Sequence, residues 1–385
     1  MQLKLLFSPE TIGNVRLKNR LVRSATFSNR AEKYGQVGKS MIGFYQKLAE
    51  GGIGLIITGF ISVEIGGTLS PFQARLDNDS YINGHRKLVE MVHNFSEVKI
   101  AAQIAHSGKQ GTHPNHPPVA PSAIKDNMTG LTPRKLRKED IESLINKFVD
   151  AGYRAYLSGY DMVQLHAAHG YLLSNFISPY SNKRNDEFGG NLNNMTKILV
   201  MIYNRLREKT EKEFPIIVKL QTQDFIPEGL VIEDSVKIAE ILIKTGFNAI
   251  EPSGGIGETQ IGTKEAYPSK IIKSSEDENY FLSIAKRLKP IMNNSKLILV
   301  GGIKNPLSAE KILKNGDADF ISMSRPLLYE PDLPNRWLNG DITSAKCISC
   351  NSCYFSMLNG PTHCIVREKL EKKKQRQLHR KVLEE

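Results

Sequence analysis

The chain has 385 residues, of which 40% are hydrophobic and 24% charged, and 52 Lys and Arg against 40 Asp and Glu give a net charge of +12. These are the proportions of a globular protein with one large or two average domains. A membrane-spanning protein is not expected, because no apolar run approaches the roughly 20 residues that a spanning helix needs. The positive charge permits binding to nucleic acid, acidic membranes or anionic small molecules, and requires none of them.

The N-terminus and the cysteines predict a cytoplasmic protein. MQLKLLFSPE has no charged region followed by a long apolar core, so it lacks the form of a secretory signal. All four cysteines lie at or after Cys347. A secreted disulfide framework would not leave the preceding chain without a crosslink.

Eight short apolar runs predict eight strands. Each run is nearly continuous, as expected for parallel strands that are buried on both faces. The predicted strands are Arg20–Thr26, Gly54–Phe60, Lys99–His106, Met162–Ala168, Pro215–Thr222, Asn248–Pro252, Lys296–Gly302 and Phe320–Ser324. Amphipathic stretches predict helices over Lys138–Tyr153, Met195–Leu206, Val231–Ile243, Asn279–Leu288 and Ala309–Leu313.

This alternation of strands and helices predicts a (β/α)8 TIM barrel of the α/β class. The alternative is an open doubly wound sheet, but no G-x-G-x-x-G turn follows any predicted strand. We expect the barrel to span residues 1–340, and a short cysteine-containing extension with a charged tail to span residues 341–385. Residues 111–137 form a long excursion after the third strand, where loops commonly build active sites.

The most informative stretch is VQLHAAHGYLLSNFISPYSNKRNDEFGGN, which begins at Val163. His166 and His169 flank two alanines at the end of the fourth strand, so both imidazoles can donate to one oxygen in a shared pocket. Tyr171 follows with a phenol that can donate a proton. A metal site is the alternative, but no carboxylate accompanies the pair at metal-ligand spacing, which favours hydrogen-bond donors.

This stretch resembles the Old Yellow Enzyme family of FMN-dependent ene-reductases, through H-A-A-H-G-Y-L, N-F-I-S-P and N-K-R-x-D-x-F-G-G. The resemblance covers residues 6–337 and includes AAQIAHSGKQ and ILVGGIKNPLSAEKILKNGDADFISMSRPLL. It implies that NAD(P)H reduces a barrel-bound FMN, whose N5 passes hydride to the β-carbon of an activated alkene. It further implies that His166 and His169 bind the carbonyl oxygen of an enone-type substrate, and that Tyr171 protonates the α-carbon.

The resemblance also implies which residues bind FMN. The expected phosphate ligands are Gly301, Gly302, Ser324 and Arg325. Barrels often bind phosphate there, in the loops after strands seven and eight. Gln103 is expected at the pyrimidine edge and Lys219 near N1 and O2, where a cation favours the anionic reduced flavin. The remaining expected contacts are Ser24, Ala25, Thr26, Ser253 and Gly254.

Three residues depart from the usual family pattern. Phe27, an expected substrate contact, stands where many members have Thr or Cys, at a position that tunes the flavin's potential. Phe60 stands where smaller residues are common. Lys219 replaces an arginine, so a point charge replaces a planar fork. These differences leave the FMN prediction intact.

The cysteines predict a second site. Cys347, Cys350 and Cys353 have the spacing C-x2-C-x2-C, and Cys364 follows after ten residues. Three thiolates on a tight loop with a distant fourth are typical of a metal cluster. They resemble the iron–sulfur members of the same family, of the dienoyl-CoA reductase and trimethylamine dehydrogenase type, which more often have C-x2-C-x3-C. We expect a [4Fe–4S] cluster, with zinc or an empty site as alternatives.

Two competing hypotheses remain. An RNA-modifying flavin barrel suits the positive charge, but such enzymes use a cysteine at the barrel mouth and none precedes Cys347. A non-catalytic barrel is disfavoured by the intact His166, His169, Tyr171 and Arg325. We therefore expect a small-molecule substrate, and neither nucleic acid nor a membrane as partner. A separate electron-transfer protein and a homo-oligomer are left open.

Overall fold

Eight parallel strands close into a barrel in the computed structural model, which describes residues 3–260 and 268–384. The strands are β1 (Leu21–Arg23), β2 (Leu55–Ile57), β3 (Lys99–Ala105), β4 (Met162–Ala167), β5 (Ile216–Gln221), β6 (Ala249–Ser253), β7 (Lys296–Val300) and β8 (Phe320–Met323). The barrel closes because β1 pairs with both β2 and β8. The predicted (β/α)8 barrel is confirmed, with each strand inside or overlapping its predicted run.

Helices surround the barrel. They are α1 (Lys39–Glu50), α2 (Ile82–His93), α3 (Lys138–Leu157), α4 (Leu192–Lys209), α5 (Ile232–Thr245), α6 (Leu282–Leu288) and α7 (Pro306–Lys314). Two short helices, Arg325–Tyr329 and Leu333–Leu338, follow β8. The helices α1 and α2 were not individually predicted from the sequence. No helix in the described part of the chain has both the length and the apolar character needed to cross a bilayer.

The lower barrel interior is an apolar plug. Alternate residues of a barrel strand face inward, and one such layer comprises Val22, Leu55, Ile57, Ala101, Met162, Ile217, Ala249, Ile298 and Phe320. An N-terminal hairpin of Glu10–Ile12 and Val15–Leu17, which the sequence analysis did not predict, adds buried Ile12 and Leu17 to this cluster. The plug closes the amino-terminal end of the barrel, so any cavity in the barrel must open at the other end.

The extension contains the short helix Ser352–Ser356 and the long helix Ile365–Glu384. Its first part is hydrogen-bonded to the barrel loops. Asn29 Nδ2 donates to the carbonyls of Met357 (3.1 Å) and Gly360 (3.0 Å), and the Thr362 amide donates to the Ser28 carbonyl (2.9 Å). The cysteine loop therefore lies beside the loop that follows β1, at the carboxyl-terminal end of the barrel.

Candidate active site

A cavity at the carboxyl-terminal end of the barrel brings together most of the residues expected to bind FMN. Those that line it are Ser24, Ala25, Lys219, Ser253, Gly301, Gly302, Ser324 and Arg325, together with His169. Together they come from six strand ends that are far apart in sequence. Residues that the sequence analysis did not select also line the cavity, among them Tyr280, Lys304 and Ser349.

The glycines after β7 are required by the shape of this cavity. Gly301 and Gly302 have φ of 110° and 77°, which side chains rarely adopt. A Cβ at Gly301 would stand 2.6 Å from the Phe281 ring, and one at Gly302 would stand 2.8 Å from the Tyr280 ring. The peptide groups of these two glycines thus line the cavity without side chains, so a phosphate could approach the backbone closely there.

A polar layer lies between the apolar plug and the cavity. The inward residues one step above the plug are Ser24, Gln103, Gln164, Lys219, Glu251 and Ser322. Glu251 stands at their centre, fully buried, and was missed by the sequence analysis. The available signal was a carboxylate inside the apolar run Asn248–Pro252.

Gln103 belongs to this layer and does not line the cavity. Its Nε2 donates to Gln164 Oε1 (2.7 Å), and Gln164 Nε2 donates to Glu251 Oε2 (3.0 Å). Lys219 does reach the cavity wall, while its Nζ contacts Glu251 Oε2 at 2.8 Å. Burial raises the pKa of Glu251, but Lys219 and the other donors outweigh it, so the net pKa is lowered.

The three proposed catalytic side chains are adjacent. The His166 ring centroid lies 5.0 Å from that of His169, with the planes nearly perpendicular, and 5.0 Å from that of Tyr171. His169 has φ of 67°, and its amide donates to Gln221 Oε1 (2.8 Å). Its Nε2 lies 2.7 Å from Ser253 Oγ. His166 Nδ1 is buried without a hydrogen-bond partner among the described residues, and such an atom is costly unless a ligand satisfies it.

Burial sets the charge of this group. It lowers the pKa of His166 well below the usual range, with His169 and Lys219 acting in the same direction. It also lowers the pKa of His169 to about 3, reinforced by Lys219. Burial, followed by the Tyr354 hydroxyl, raises the pKa of Tyr171. At neutral pH the two imidazoles are therefore neutral donors, and the phenol retains its proton.

Phe27 and Phe60 stand next to these side chains. The two rings stack at 5.0 Å, and Phe60 lies 5.1 Å from the Tyr171 ring. Two of the three positions that depart from the family pattern, Phe27 and Phe60, thus form one apolar surface beside Tyr171. That surface contributes to the burial that raises the pKa of the phenol.

Three other residues that were predicted to contact FMN interact with other parts of the protein. Thr26 Oγ1 lies 2.7 Å from Ser324 Oγ. A Cβ at Gly254, which does not line the cavity, would stand 2.8 Å from the Phe225 ring. Arg325 lines the cavity, but its Nη1 donates to Asn351 Oδ1 (2.6 Å) and to the Lys270 carbonyl (2.7 Å). Arg325 therefore ties this end of the cavity to the cysteine loop.

The four cysteines line one second cavity, which also contacts Arg325. All four are free thiols. Burial raises the pKa of Cys353 to about 11; Arg325 lowers it, and the neighbouring thiols raise it further. No group of three or more His, Cys, Asp or Glu in residues 3–260 and 268–384 is arranged so that it could hold a metal ion.

The excursion does not line the first cavity in the described part of the chain. It is fixed by Arg184 of the N-K-R-x-D motif, whose Nη1 donates to the carbonyls of Pro121 (3.1 Å) and Leu136 (2.6 Å). Arg184 also pairs with Asp186 through two hydrogen bonds. Residues 112–116 of the excursion line a separate groove with the loop that follows β2.

Comparison with known proteins agrees with this architecture. Residues 5–341 match the NADH:flavin oxidoreductase / NADH oxidase family. The chain is 35% identical over 351 residues to an NADH oxidase of Thermoanaerobacter brockii, which covers 90% of this chain and 52% of that protein. It is 34% identical to an NADPH dehydrogenase of Bacillus cytotoxicus, covering 87% of this chain and 92% of that protein.

Solved structures give the same result. A 2-naphthoyl-CoA reductase superimposes with a TM-score of 0.86 at 25% identity, covering 95% of this chain and 57% of that one. An Old Yellow Enzyme homologue of Zymomonas mobilis superimposes with a TM-score of 0.71 at 26% identity, covering 88% and 94%. The chain thus spans about half the length of the NADH oxidase and of the 2-naphthoyl-CoA reductase.

The barrel, its cationic cavity and the histidine pair define the flavin-barrel class of oxidoreductases. Within that class, the chain belongs to the NADH:flavin oxidoreductase / NADH oxidase family. The predicted Old Yellow Enzyme resemblance is confirmed. Membership supports FMN as cofactor and NAD(P)H as reductant. The residues present fit FMN, because bare glycine backbone, the cations Lys219, Lys304 and Arg325, and a His166 nitrogen without a hydrogen-bond partner among the described residues surround one end of the barrel.

Proposed function

We propose that this chain is an NAD(P)H-dependent ene-reductase for α,β-unsaturated carbonyl compounds. The observation that carries the proposal is the group of His166, His169 and Tyr171 beside the cavity, with two neutral imidazoles and one protonated phenol. When bound, FMN accepts hydride from NAD(P)H and supplies it to the alkene carbon. The side chains of the protein activate the substrate, donate the proton and exclude water.

The histidines activate the substrate. The free His166 Nδ1 and the His169 ring are the donors for a carbonyl oxygen, and donation withdraws electron density from the conjugated alkene. Tyr171 supplies the proton to the α-carbon, and the raised pKa of its phenol keeps that proton in place until a carbanion develops. Phe27 and Phe60 exclude water from this side.

Turnover with an enone tests this function. The purified protein should contain a yellow chromophore, and NAD(P)H with cyclohexenone should oxidise the reduced form cyclically. His166→Ala should weaken phenol binding about tenfold or more, the cost of one lost hydrogen bond to a buried partner. Exposed His116→Ala is the matched control. A colourless protein that does not take up FMN, or phenol binding unaffected by His166→Ala, contradicts the proposal.

We further propose that residues 341–385 form an extension in which Cys347, Cys350, Cys353 and Cys364 hold a [4Fe–4S] cluster. The support is that all four line one cavity, separated from the flavin cavity by Arg325. A cluster would supply one-electron transfer, which makes a separate electron-transfer protein a candidate partner in the cytoplasm. Anaerobic analysis should find about four iron and four sulfide per chain. Zinc, or neither element, contradicts this assignment.

A further inference from the structure

Glu251 is the most completely satisfied charged group in the barrel interior among the described residues. Its Oε1 accepts from Ser24 Oγ (2.7 Å) and Ser322 Oγ (2.9 Å). Its Oε2 accepts from Gln164 Nε2 (3.0 Å) and contacts Lys219 Nζ (2.8 Å). Four donors fill the lone-pair sites of a carboxylate, whereas a neutral carboxyl carries a hydroxyl hydrogen and could not accept from all four.

The position of Glu251 relative to Lys219 is fixed by the sheet. The two residues are direct partners in the parallel pairing of β5 and β6. Both side chains are buried, but Lys219 lines the cavity and Glu251 does not. The carboxylate therefore stands behind the ammonium as seen from the cavity. A ligand in the cavity meets a compensated ion pair instead of an isolated cation.

We propose that Glu251 is a positioning residue that holds Lys219 at the cavity wall and offsets its charge, and so keeps the reduction potential of bound FMN low. This inference rests on the proposed placement of FMN beside Lys219. Hydride transfer from NAD(P)H gives NAD(P)⁺ and an anionic reduced flavin, carrying two electrons and one proton more than before. Offsetting the cation disfavours that anion, and thus favours the onward transfer of hydride to the substrate.

Potentials of the FMN-loaded variants test the inference. Glu251→Gln removes the negative charge at nearly constant size, so the ratio of reduced to oxidised flavin at a fixed potential should rise about tenfold, or about 30 mV for two electrons. Glu251→Asp keeps the negative charge, so its ratio of reduced to oxidised flavin should stay within about twofold of that of the native protein. A purely structural role would shift both variants alike. An unchanged or lower potential in Glu251→Gln overturns the inference.

A charge-balanced pair covers the case in which Glu251→Gln does not fold. Lys219→Met alone should lower the potential, because it leaves the carboxylate uncompensated. The double variant Lys219→Met with Glu251→Gln removes both charges, which buried pairs tolerate better than the loss of one. At a fixed potential, its ratio of reduced to oxidised flavin should return to within about twofold of that of the native protein. A double variant as low as Lys219→Met overturns the inference.

The outcome separates this inference from the proposed function. If native protein binds no FMN, the placement of the flavin fails, and this inference fails with it. If FMN binds and cyclohexenone is reduced while Glu251→Gln leaves the potential unmoved, only the role of Glu251 fails.

Discussion

At the residue scale, burial holds three histidines in the neutral form. His85 is fully buried, with Nδ1 2.8 Å from the Tyr160 hydroxyl and Nε2 3.1 Å from the Arg75 carbonyl. Burial lowers its pKa to about 4, although the Arg75 carbonyl acts in the opposite direction. The pKa values of His166 and His169 are lowered for the same reason. Each buried histidine lowers the stability of the fold at any pH where that histidine would be protonated in the unfolded chain but stays neutral in the folded one.

Acid should therefore destabilise the fold well before the carboxylates are protonated. The unfolded histidines bind protons below about pH 6.5, while folded His85 stays neutral down to about pH 4. The free energy of unfolding should fall as the pH drops through this window, by about 1.4 kcal/mol per pH unit for each histidine. Urea unfolding between pH 7 and 4.5 measures this slope.

His85→Gln isolates one of the three contributions. Its slope should be smaller by about 1.4 kcal/mol per pH unit, even if the variant is less stable at pH 7. The exposed His116→Gln should leave the slope unchanged. A native slope near zero, or equal slopes for His85→Gln and the native protein, would contradict the assignment of neutral buried histidines.

At the element scale, the turn after β7 shapes the flavin cavity through backbone alone. Gly302→Ala places a methyl group against Tyr280, whereas Gly316, with a similar φ of 74°, has open space around it. Both substitutions should cost about 1 kcal/mol of stability through the left-handed backbone, and Gly302→Ala should cost more because its methyl group would crowd the Tyr280 ring. Only Gly302→Ala should weaken FMN binding, by about tenfold or more if one phosphate hydrogen bond is lost.

Fluorescence titration of the apoprotein with FMN measures this difference in affinity, and urea unfolding measures the stability cost of each substitution. Equal FMN affinity in Gly302→Ala and Gly316→Ala would show that the phosphate lies elsewhere. Loss of FMN binding in both variants would indicate a global effect, and would remove the support for this turn as the phosphate site.

Most elements follow from periodicity and composition, and the exceptions have physical reasons. The barrel strands are apolar on both faces, so their runs are visible in the sequence. The N-terminal hairpin was missed because each of its strands has three residues, too few to show an alternation. Glu251 and Gln164 were passed over because single polar residues in an apolar run reveal their role only when the barrel turns them toward one another.

At the scale of the whole molecule, the extension is fixed to the barrel by a few polar anchors. Asn29 is nearly buried, and its side chain binds two extension carbonyls and the Ser70 hydroxyl. Asn29→Ala removes these hydrogen bonds, each worth about 1 kcal/mol. Residues 345–364 should then be released more often, and limited proteolysis should cleave them about tenfold faster.

Mass spectrometry of the fragments checks this prediction, and the FMN absorbance of the barrel should persist. Exposed Asn115→Ala, in the excursion, is the control and should not alter cleavage within the extension. Unchanged cleavage in Asn29→Ala would show that other contacts hold the extension in place.

The sequence by itself determined the class of fold and the family, because these depend on local patterns and short motifs, and it predicted the residues of both proposed sites. The tertiary structure alone decided which distant strands converge. It placed Glu251 behind Lys219, turned Gln103 into the interior, and set Arg325 between the flavin cavity and the four cysteines. Such relations depend on the register and closure of the barrel, which no single segment of the chain encodes.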